Sequence, residues 1–370
     1  MSNDPSTSPV TTLRSDERTS LLFTTNMGLE DVVVEEFEER AAEHDIAVTS
    51  TDDEPFGLAS YALVEGPASL EELLPVAREM RSAHHVLAPL YTFALAETNP
   101  LEALRDTLEP LDVPAMTSAG TFRVTTVRQG DHDFRSMDVQ RVAGGVIDGK
   151  YDAHVDLEDY DVEVRVDVHE NRVLVSVQQT REALSRRQAR LYQPRAALKP
   201  NVAYALLRLP HLDGPPDVFL DPFCGSGTIL LEAAALWPDT RLLGNDWDDD
   251  AVAGARMNVD TAGLSDRIEL HESDSWYLAE TFADVDVDLI VTNPPFGQRL
   301  GSSMDFRPFY RRLLEQAAAV LRSDGYLVLL VLRQGAFNKM LRNTDAFDVR
   351  HVRVIEIGGL YPRVFVLQRT

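Results

Sequence analysis

The chain has 370 residues, enough for two or three domains, and 44% of them are hydrophobic, so sizeable cores can be buried. It carries a formal net charge of −25, and it contains no uninterrupted apolar run of about 18 residues that would predict a membrane span. Segment 1–18 lacks the apolar stretch of a secretory signal, so we expect a disordered tail there. The single cysteine, Cys224, excludes an internal disulfide and fits a reducing cytoplasm, and the absence of a Cys/His cluster predicts no metal site.

The acidic charge bears on possible partners. Phosphate binding needs local Lys and Arg, yet the only lysines are Lys150, Lys199 and Lys339. One interpretation is adaptation to a high-salt cytoplasm, in which carboxylates keep the surface hydrated. The other is an ordinary acidic protein without a nucleic-acid partner, and composition taken alone favours it.

The N-terminal half predicts a mixed α+β order. Strands are expected at Ser20–Thr25, Ser60–Val64, Val86–Ala94, Thr121–Val127, Asp161–His169 and Arg172–Gln179. Helices are expected at Gly28–His44, Ser69–Met80, Leu101–Leu108 and Ser136–Tyr151. This order predicts one or two small α/β sandwiches over residues 19–180.

Residues 181–200 form a basic linker between the two halves. Its positive residues are Arg181, Arg186, Arg187, Arg190, Arg195 and Lys199, against the single acid Glu182. In so acidic a chain, this concentration predicts contact with RNA phosphates. The alternative is a solvated linker or helix face.

Residues 201–370 predict a parallel sheet with crossover helices. Strands are expected at Val218–Phe223, Arg241–Asp246, Ile268–Glu272, Val287–Thr292 and Tyr326–Leu332, with helices at Thr228–Leu236, Ala251–Ala262 and Phe306–Leu321. Two further strands, Val352–Ile357 and Val364–Gln368, are joined by a link too short for a crossover helix, so they predict an antiparallel hairpin. Five alternating strands plus a terminal hairpin is the pattern of the seven-stranded, Rossmann-like methyltransferase fold.

A glycine-rich turn follows the first of these strands. It reads Asp221-Pro222-Phe223-Cys224-Gly225-Ser226-Gly227-Thr228. Glycines allow a ligand to approach the backbone closely, and the following helix offers free N–H groups to a carboxylate or a phosphate. A dinucleotide site is the rival interpretation. The turn lacks G-x-G-x-x-G spacing, however, and Asp221 suits a ligand with an ammonium group better than a pyrophosphate.

Acids also follow the second and third strands. Asp246, followed by Trp247, lies about 20 residues beyond the glycines, where this fold holds a ribose diol. Asp274, followed by Ser275, could accept a hydrogen bond from an adenine amino group. Asp246 taken alone could equally be an ordinary strand-end acid that caps a helix.

The tetrapeptide Asn293-Pro294-Pro295-Phe296 follows the fourth strand directly. An aryl amine is a poor nucleophile because its lone pair is delocalised into the ring. The Asn293 side-chain oxygen and the Pro294 carbonyl can accept its two protons and free that lone pair, while the prolines keep the loop rigid. Phe296 offers a ring on which a planar base can stack.

Residues 195–370 resemble the class I amino-methyltransferases with a DPFCGSGT-type first motif and an NPPF fourth motif. The resemblance implies S-adenosylmethionine as cofactor, with its methionine half lined by Asp221, Phe223, Gly225, Gly227 and Thr228, its ribose on Asp246 and its adenine on Asp274. Pro222, Cys224, Trp247 and Ser275 share these motifs and are further candidates for cofactor binding. Asn293, Pro294, Pro295 and Phe296 would form the catalytic site.

The N-terminal half resembles the ferredoxin-like plus THUMP architecture. The resemblance rests on Thr24–Asp31, on Thr121–Val127 with Arg128, His132, Phe134 and Ser136, and on the ending Gly358–Arg363. The family implies N2-methylation of a guanosine in tRNA, at position 6 of the acceptor stem. We expect a monomer, with Arg128 and His132 among its RNA contacts. An rRNA guanine methyltransferase, a protein glutamine methyltransferase and a non-catalytic RNA-binding module are the alternatives.

Overall fold

A computed structural model describes residues 9–15, 17–186, 190–194, 197–295 and 305–370. The chain divides into two compact units. The first comprises the residues up to Thr25 together with Val33–Leu184, and the second comprises Asn26–Val32 together with Ser185–Thr370.

The elements of the N-terminal half follow the predicted order closely. Its strands are β1 (Thr11–Thr12), β2 (Thr19–Thr24), β3 (Ser50–Asp52), β4 (Tyr61–Gly66), β5 (His85–Ala94), β6 (Thr121–Thr125), β7 (Arg128–Gln129), β8 (His154–Val155), β9 (Val162–His169) and β10 (Arg172–Gln178). Its helices are α1 (Glu30–Glu43), α2 (Leu70–Arg78), α3 (Pro100–Leu108) and α4 (Ser136–Lys150). Helix α2 begins with a capping box between Ser69 and Glu72, as its sequence pattern indicates.

These strands form one continuous sheet. Within the described part of the chain, its order is β3-β4-β2-β5-β10-β9-β6-β8, with β1 paired to β5 and β7 paired to β9. Strands β5 and β10 pair antiparallel along their length and so join the strands β1–β5 to the strands β6–β10. The sequence does not reveal this pairing because the two partners lie far apart in the chain.

The sheet has an apolar face and a polar face at strand β9. Val164, Val166 and Val168 lie in the core formed with α3 and α4. The alternate side chains are also buried but polar, and they are Glu163, Arg165, Asp167 and His169. They bond to one another and to neighbouring strands; for example, the Tyr61 hydroxyl donates to Asp167 Oδ2 at 2.7 Å.

The predicted disordered tail of residues 1–18 requires a correction. Thr11 and Thr12 form strand β1, which pairs with Thr92 and Tyr91 of β5. The Leu13 N–H then donates to the Leu90 carbonyl at 2.9 Å. Backbone pairing needs no apolar side chains, so hydropathy does not reveal such a strand.

The second unit alternates strands and helices. Its strands are β11 (Val218–Asp221), β12 (Arg241–Asp246), β13 (Ile268–Glu272), β14 (Val287–Thr292), β15 (Leu321–Val331), β16 (Phe347–Val354) and β17 (Arg363–Arg369). Its helices are α5 (Pro200–Arg208), α6 (Thr228–Leu236), α7 (Asp249–Thr261), α8 (Leu278–Thr281), α9 (Arg307–Val320) and α10 (Gln334–Leu341). Helices α5, α8 and α10 are absent from the sequence prediction.

The described strands of this unit form a sheet in the order β13-β12-β11-β14-β15-β17-β16. The pairs among β11 to β15 are parallel, whereas β17 is antiparallel to both β15 and β16. The seven-stranded Rossmann-like fold and its terminal hairpin are therefore confirmed. Consecutive strand residues face opposite sides, so Phe219 packs in a core with α5 and α6, while Leu220 packs in another core with α9.

Segment Asn26–Val32 packs with the second unit, although its sequence position predicted it to lie in the N-terminal region. Leu29 and Val32 are buried in the core around α5 and α6. Arg353 forms a two-point ion pair with Asp31, at 2.7 and 2.8 Å. Gly28 has a φ of +88°, and a Cβ there would lie 2.2 Å from the Val354 carbonyl oxygen, so only glycine fits.

Candidate active site

The site lies at the carboxyl edge of the parallel sheet. Strands β11, β12, β13 and β14 all end there because they run in the same direction. The motifs that follow these strands therefore meet at one edge, as is general for ligand sites in open α/β sheets.

Asp221 ends β11 and is 1% exposed. The Thr292 hydroxyl donates to its Oδ1 at 2.7 Å, and the Phe223 N–H donates to the same oxygen at 3.2 Å. Burial raises the pKa of Asp221 to about 7, although the Thr292 bond opposes the shift. A cation placed beside this carboxyl would favour its ionised form.

The glycine-rich turn has a backbone that requires glycine. Gly225 and Gly227 have φ values of +52° and +78°. A Cβ added at Gly225 would meet no atom within 4 Å, so open space lies beside this residue. Gly227 immediately precedes α6 at Thr228, which is buried. A small ligand can therefore approach the backbone and the helix start closely.

The other side chains of the turn support it. Pro222 is buried, and Phe223 is half-buried with its ring 5.8 Å from that of Phe309. Burial raises the pKa of the Cys224 thiol well above its usual value, so the thiol stays neutral. A neutral, buried thiol is an unsuitable nucleophile.

Asp246 ends β12 and holds the glycine turn in place. Its carboxylate accepts the Gly225 N–H at 2.9 Å and the Asp248 N–H at 3.2 Å, one on each oxygen. Burial raises its pKa, against the effect of these backbone bonds. Each oxygen keeps a further lone pair for a ligand hydroxyl. The neighbouring Trp247 is 71% exposed.

The end of β13 joins the same edge through Asn245 and Ser273. The Asn245 amide donates to the Ser273 carbonyl at 3.0 Å, and the Ser273 hydroxyl donates to Asn245 Oδ1 at 2.7 Å. Exposed Asp274 accepts the Trp276 N–H at 3.0 Å as a helix cap, and Ser275 is buried. The sequence analysis missed Asn245 and Ser273, although an amide in an otherwise apolar strand is a usable signal.

Asn293 follows β14 directly. Its side-chain oxygen is buried and has no hydrogen-bond partner among the described residues. Pro294 is buried and Pro295 is exposed. Phe296 lies outside the described residues. A buried acceptor without a partner is costly, so this oxygen is available for a donor that a ligand brings.

Residues 190–194 dock onto the glycine turn and α7. The Asn258 amide donates to the Tyr192 and Ser226 carbonyls at 2.8 and 3.0 Å. A Cβ at Gly254 would lie 2.2 Å from the Tyr192 ring, so the ring packs directly on this helix. Sequence reasoning missed Tyr192 and Asn258 because their partners lie far away in the chain.

The predicted RNA contacts have varied surroundings. Half-buried Arg190 donates to the Thr228 hydroxyl at 2.9 Å, which places it at the glycine turn. Arg181 pairs with Asp159 at 3.1 Å, and Arg128 bonds to the Gly130 carbonyl and to His132. Arg186 and Lys199 are exposed, while Arg187 and Arg195 lie outside the described residues. Their role in binding RNA stays a prediction.

Two further observations concern metals and membranes. Among the residues that the structure describes, Asp248, Asp249 and Asp250 are exposed carboxylates close enough to share an ion, but they also suit the positive N-terminus of α7. The expectation of no metal stays a prediction. No helix in the described ranges combines the length and apolar character needed to cross a bilayer.

These features define a class I methyltransferase domain. They are the strand order of the sheet, the glycine turn after β11, the acid at the end of β12 and the Asn-Pro-Pro sequence after β14. Comparisons with known proteins agree. Residues 187–363 match the family model described as RMKL-like, methyltransferase domain, and residues 99–178 match the THUMP domain.

The relatives define the family further. The chain is 37% identical over 296 residues to a tRNA (guanine(6)-N2)-methyltransferase of Thermus thermophilus, covering 78% of this chain and 85% of that protein. It is 32% identical to the mouse tRNA (guanine(6)-N(2))-methyltransferase THUMP3, covering 73% of this chain and 54% of the mouse protein. The crystal structure of TrmN from Thermus thermophilus matches with a TM-score of 0.75 and 36% identity, covering 95% of this chain and all of TrmN. This chain belongs to the THUMP-containing tRNA (guanine(6)-N2)-methyltransferase family.

Proposed function

We propose that this protein transfers a methyl group from S-adenosylmethionine to the exocyclic N2 amine of a guanosine in tRNA, at position 6 of the acceptor stem. Membership of the family and the geometry of the carboxyl edge support this proposal. In it the enzyme acts as a monomer in the cytoplasm and needs no metal.

The residues at the edge fit the cofactor. Open space beside Gly225 accommodates a ligand close to the backbone. Asp221 suits the ammonium group of the methionine half, and Asp246 keeps lone pairs for the two ribose hydroxyls. Asp274 is the candidate for the adenine. Trp247, next to Asp246, and Ser275, next to Asp274, are further candidates for contacts with the cofactor. We assign these roles as proposals.

The sequence predicted that Arg190 contacts RNA, but in this proposal Arg190 binds the cofactor. Its guanidinium bonds to Thr228, the first residue of α6. A guanidinium and a helix N-terminus both attract anions. We propose that this pair holds the carboxylate of the methionine half, opposite the ammonium that Asp221 receives.

The observation that carries the proposal is the side-chain oxygen of Asn293. It is buried and has no partner among the described residues, at the end of the strand beside β11. An exocyclic amine brings two N–H donors to this point. The Asn293 oxygen and the Pro294 carbonyl can accept both, which leaves the nitrogen lone pair available for attack.

When bound, S-adenosylmethionine supplies a sulfonium-activated methyl group, so the protein need only position and polarise the amine. Asn293 and Pro294 hold the amine hydrogens, and the rigid proline pair keeps both acceptors preorganised. Neither acceptor is basic, so the proton lost on N-methylation leaves to water. Phe296 is proposed to stack on the flipped base.

The THUMP domain supports an RNA substrate. RNA-binding modules commonly grip structured RNA by its shape and phosphates instead of by its sequence. We propose that Arg128, His132 and Arg181, together with the basic residues of segment 181–200, contribute phosphate contacts. The net charge of −25 predicts that this binding is weak outside local positive regions.

Methylation of total tRNA, total rRNA and total cell protein with labelled cofactor, followed by mass spectrometry of the nucleosides and of the digested protein, tests the proposed function. N2-methylguanosine in the tRNA fraction is the expected product, and mapping of the modified transcript then tests position 6. Label confined to rRNA would favour an rRNA enzyme. Label in protein glutamine would favour the protein methyltransferase alternative, and cofactor binding without transfer to any of these would favour the non-catalytic module.

A further inference from the structure

We propose that Arg333 recognises the Hoogsteen edge of the target guanine, and so selects guanine over adenine, from a pocket beside the Asn-Pro-Pro loop. This inference rests on the proposed function, since it concerns the base that is methylated. It assigns a specificity role to a residue outside every motif of the sequence analysis.

The pocket lies at the carboxyl edge of the sheet. It has a volume of about 620 Å³ and is lined by residues before and in α9 and by Leu332 to Ala336 after β15. Strands β14 and β15 are parallel neighbours, with Thr292 in register with Leu329. Arg333 follows Leu329 by four residues and Pro295 follows Thr292 by three, so both extend from the same edge.

The backbone of Arg333 is well anchored. Its carbonyl accepts the Phe337 N–H at 3.2 Å, at the start of α10. Phe337 is itself fully buried in the core formed with α9. The side chain therefore extends from a fixed point.

The guanidinium of Arg333 is exposed and available. It lies 5.8 Å from the centroid of the Phe306 ring, a cation–π contact that orients it without using its N–H donors. Across the described ranges, no hydrogen bond or ion pair engages this guanidinium. Arg307, which lines the same pocket, is instead paired with Asp305 at 2.6 Å.

The chemistry of guanine matches this arrangement. A guanidinium presents parallel N–H donors that fit the guanine O6 and N7 acceptors, a common base-specific contact of arginine. These acceptors lie on the opposite edge of the base from N2. The Asn-Pro-Pro loop and Arg333 could therefore hold two edges of one ring. Adenine would present its N6 donor to the guanidinium, so the same group disfavours adenine.

The test uses tRNA whose target guanosine is replaced by 7-deazaguanosine, which loses N7 and keeps O6, N1–H and N2. Single-turnover methylation of both substrates is measured for the wild type, Arg333→Ala and Arg333→Lys. Arg311→Ala, which removes an exposed charge from α9, is the matched control. Thermal unfolding and cofactor affinity of each variant check that the fold and the cofactor site are intact.

We expect the wild type to methylate the 7-deaza substrate roughly 10-fold or more slowly than guanosine, since a good bidentate contact discriminates by about that amount or more. Arg333→Ala should lose roughly 10- to 100-fold on guanosine and treat both substrates alike. Arg333→Lys should recover only part of the rate, because an ammonium cannot donate in a fork. Arg311→Ala should behave as the wild type.

Two results would overturn this inference and leave the proposed function intact. Equal slowing of both substrates by Arg333→Ala, with the wild-type preference intact, would indicate a phosphate contact instead of base recognition. An unchanged rate would remove any role for this residue. A wild-type enzyme that forms no N2-methylguanosine in tRNA would instead refute the proposed function, and this inference with it.

Discussion

Replacing Asn293 with Ala separates catalysis from stability. The side-chain oxygen of Asn293 is buried and has no hydrogen-bond partner among the described residues. Its removal therefore breaks no hydrogen bond that the described residues make to it. Burying an unsatisfied acceptor costs about 1–3 kcal/mol, which the variant avoids. It also loses some side-chain packing, so we expect the free energy of unfolding to change by less than about 1 kcal/mol, or to rise.

The rate of methyl transfer should respond very differently. The Asn293 oxygen is proposed to interact most strongly as positive charge develops on the target nitrogen, so its loss affects the transition state more than the bound state. Removing one preorganised polar group of this kind typically slows turnover about 100- to 1000-fold, which corresponds to about 2.7–4 kcal/mol. The dissociation constants for cofactor and tRNA should stay close to those of the wild type.

The assay is single-turnover methylation at saturating cofactor, with chemical denaturation measured on the same samples. Asn293→Asp is an informative companion, because it keeps the size and an acceptor but introduces a charge. An Ala variant that transfers methyl groups within about threefold of the wild-type rate would refute the proposed mechanism. A stability loss above about 2 kcal/mol would show that Asn293 is chiefly structural.

Three further predictions concern the cofactor and RNA. Asp246→Ala should raise the dissociation constant of S-adenosylmethionine about 10- to 150-fold in calorimetry, because about 1.5–3 kcal/mol of bonding to a charged group is lost. Asp250→Ala, at an exposed position in the first turn of α7, should leave this dissociation constant unchanged. The pKa of Asp221 is raised to about 7, so below that pH its carboxyl group is mostly protonated. Cofactor binding then has to release the Asp221 proton. The affinity for the cofactor should therefore fall by up to about tenfold per pH unit between about pH 7 and pH 5.5, a range below the titration of the ligand's own amine. An affinity that does not change with pH would contradict this role of Asp221, and so would an Asp221→Asn variant with the same pH profile as the wild type. Arg186→Ala should lower the salt-dependence slope of tRNA binding by about one unit, and a slope equal to that of Arg311→Ala would show that Arg186 makes no phosphate contact.

The sequence alone determined the class I methyltransferase fold and the order of the chemical groups along its sheet. Hydrophobic periodicity placed β11 to β14 correctly, and parallel strands with right-handed crossovers necessarily bring their carboxyl ends to one edge. Asp221, Asp246 and Asn293 could therefore be expected to lie near one another before any coordinates were available. The resemblance of the N-terminal half to THUMP proteins rested on looser patterns, and the match at residues 99–178 confirms it.

Only the tertiary structure decided which distant segments complete each unit. Three contacts join residues that lie far apart in the chain. They are the packing of Asn26–Val32 against β16, the hydrogen bond of Arg190 to Thr228 and the pairing of β5 with β10. Periodicity reports which face of an element is apolar, but not which partner covers it. Likewise, the raised pKa of Asp221 and the burial of the Asn293 side-chain oxygen, which has no partner among the described residues, arise only when neighbours from several strands surround these groups. Desolvation is a property of the assembled site, so it cannot be read from local sequence.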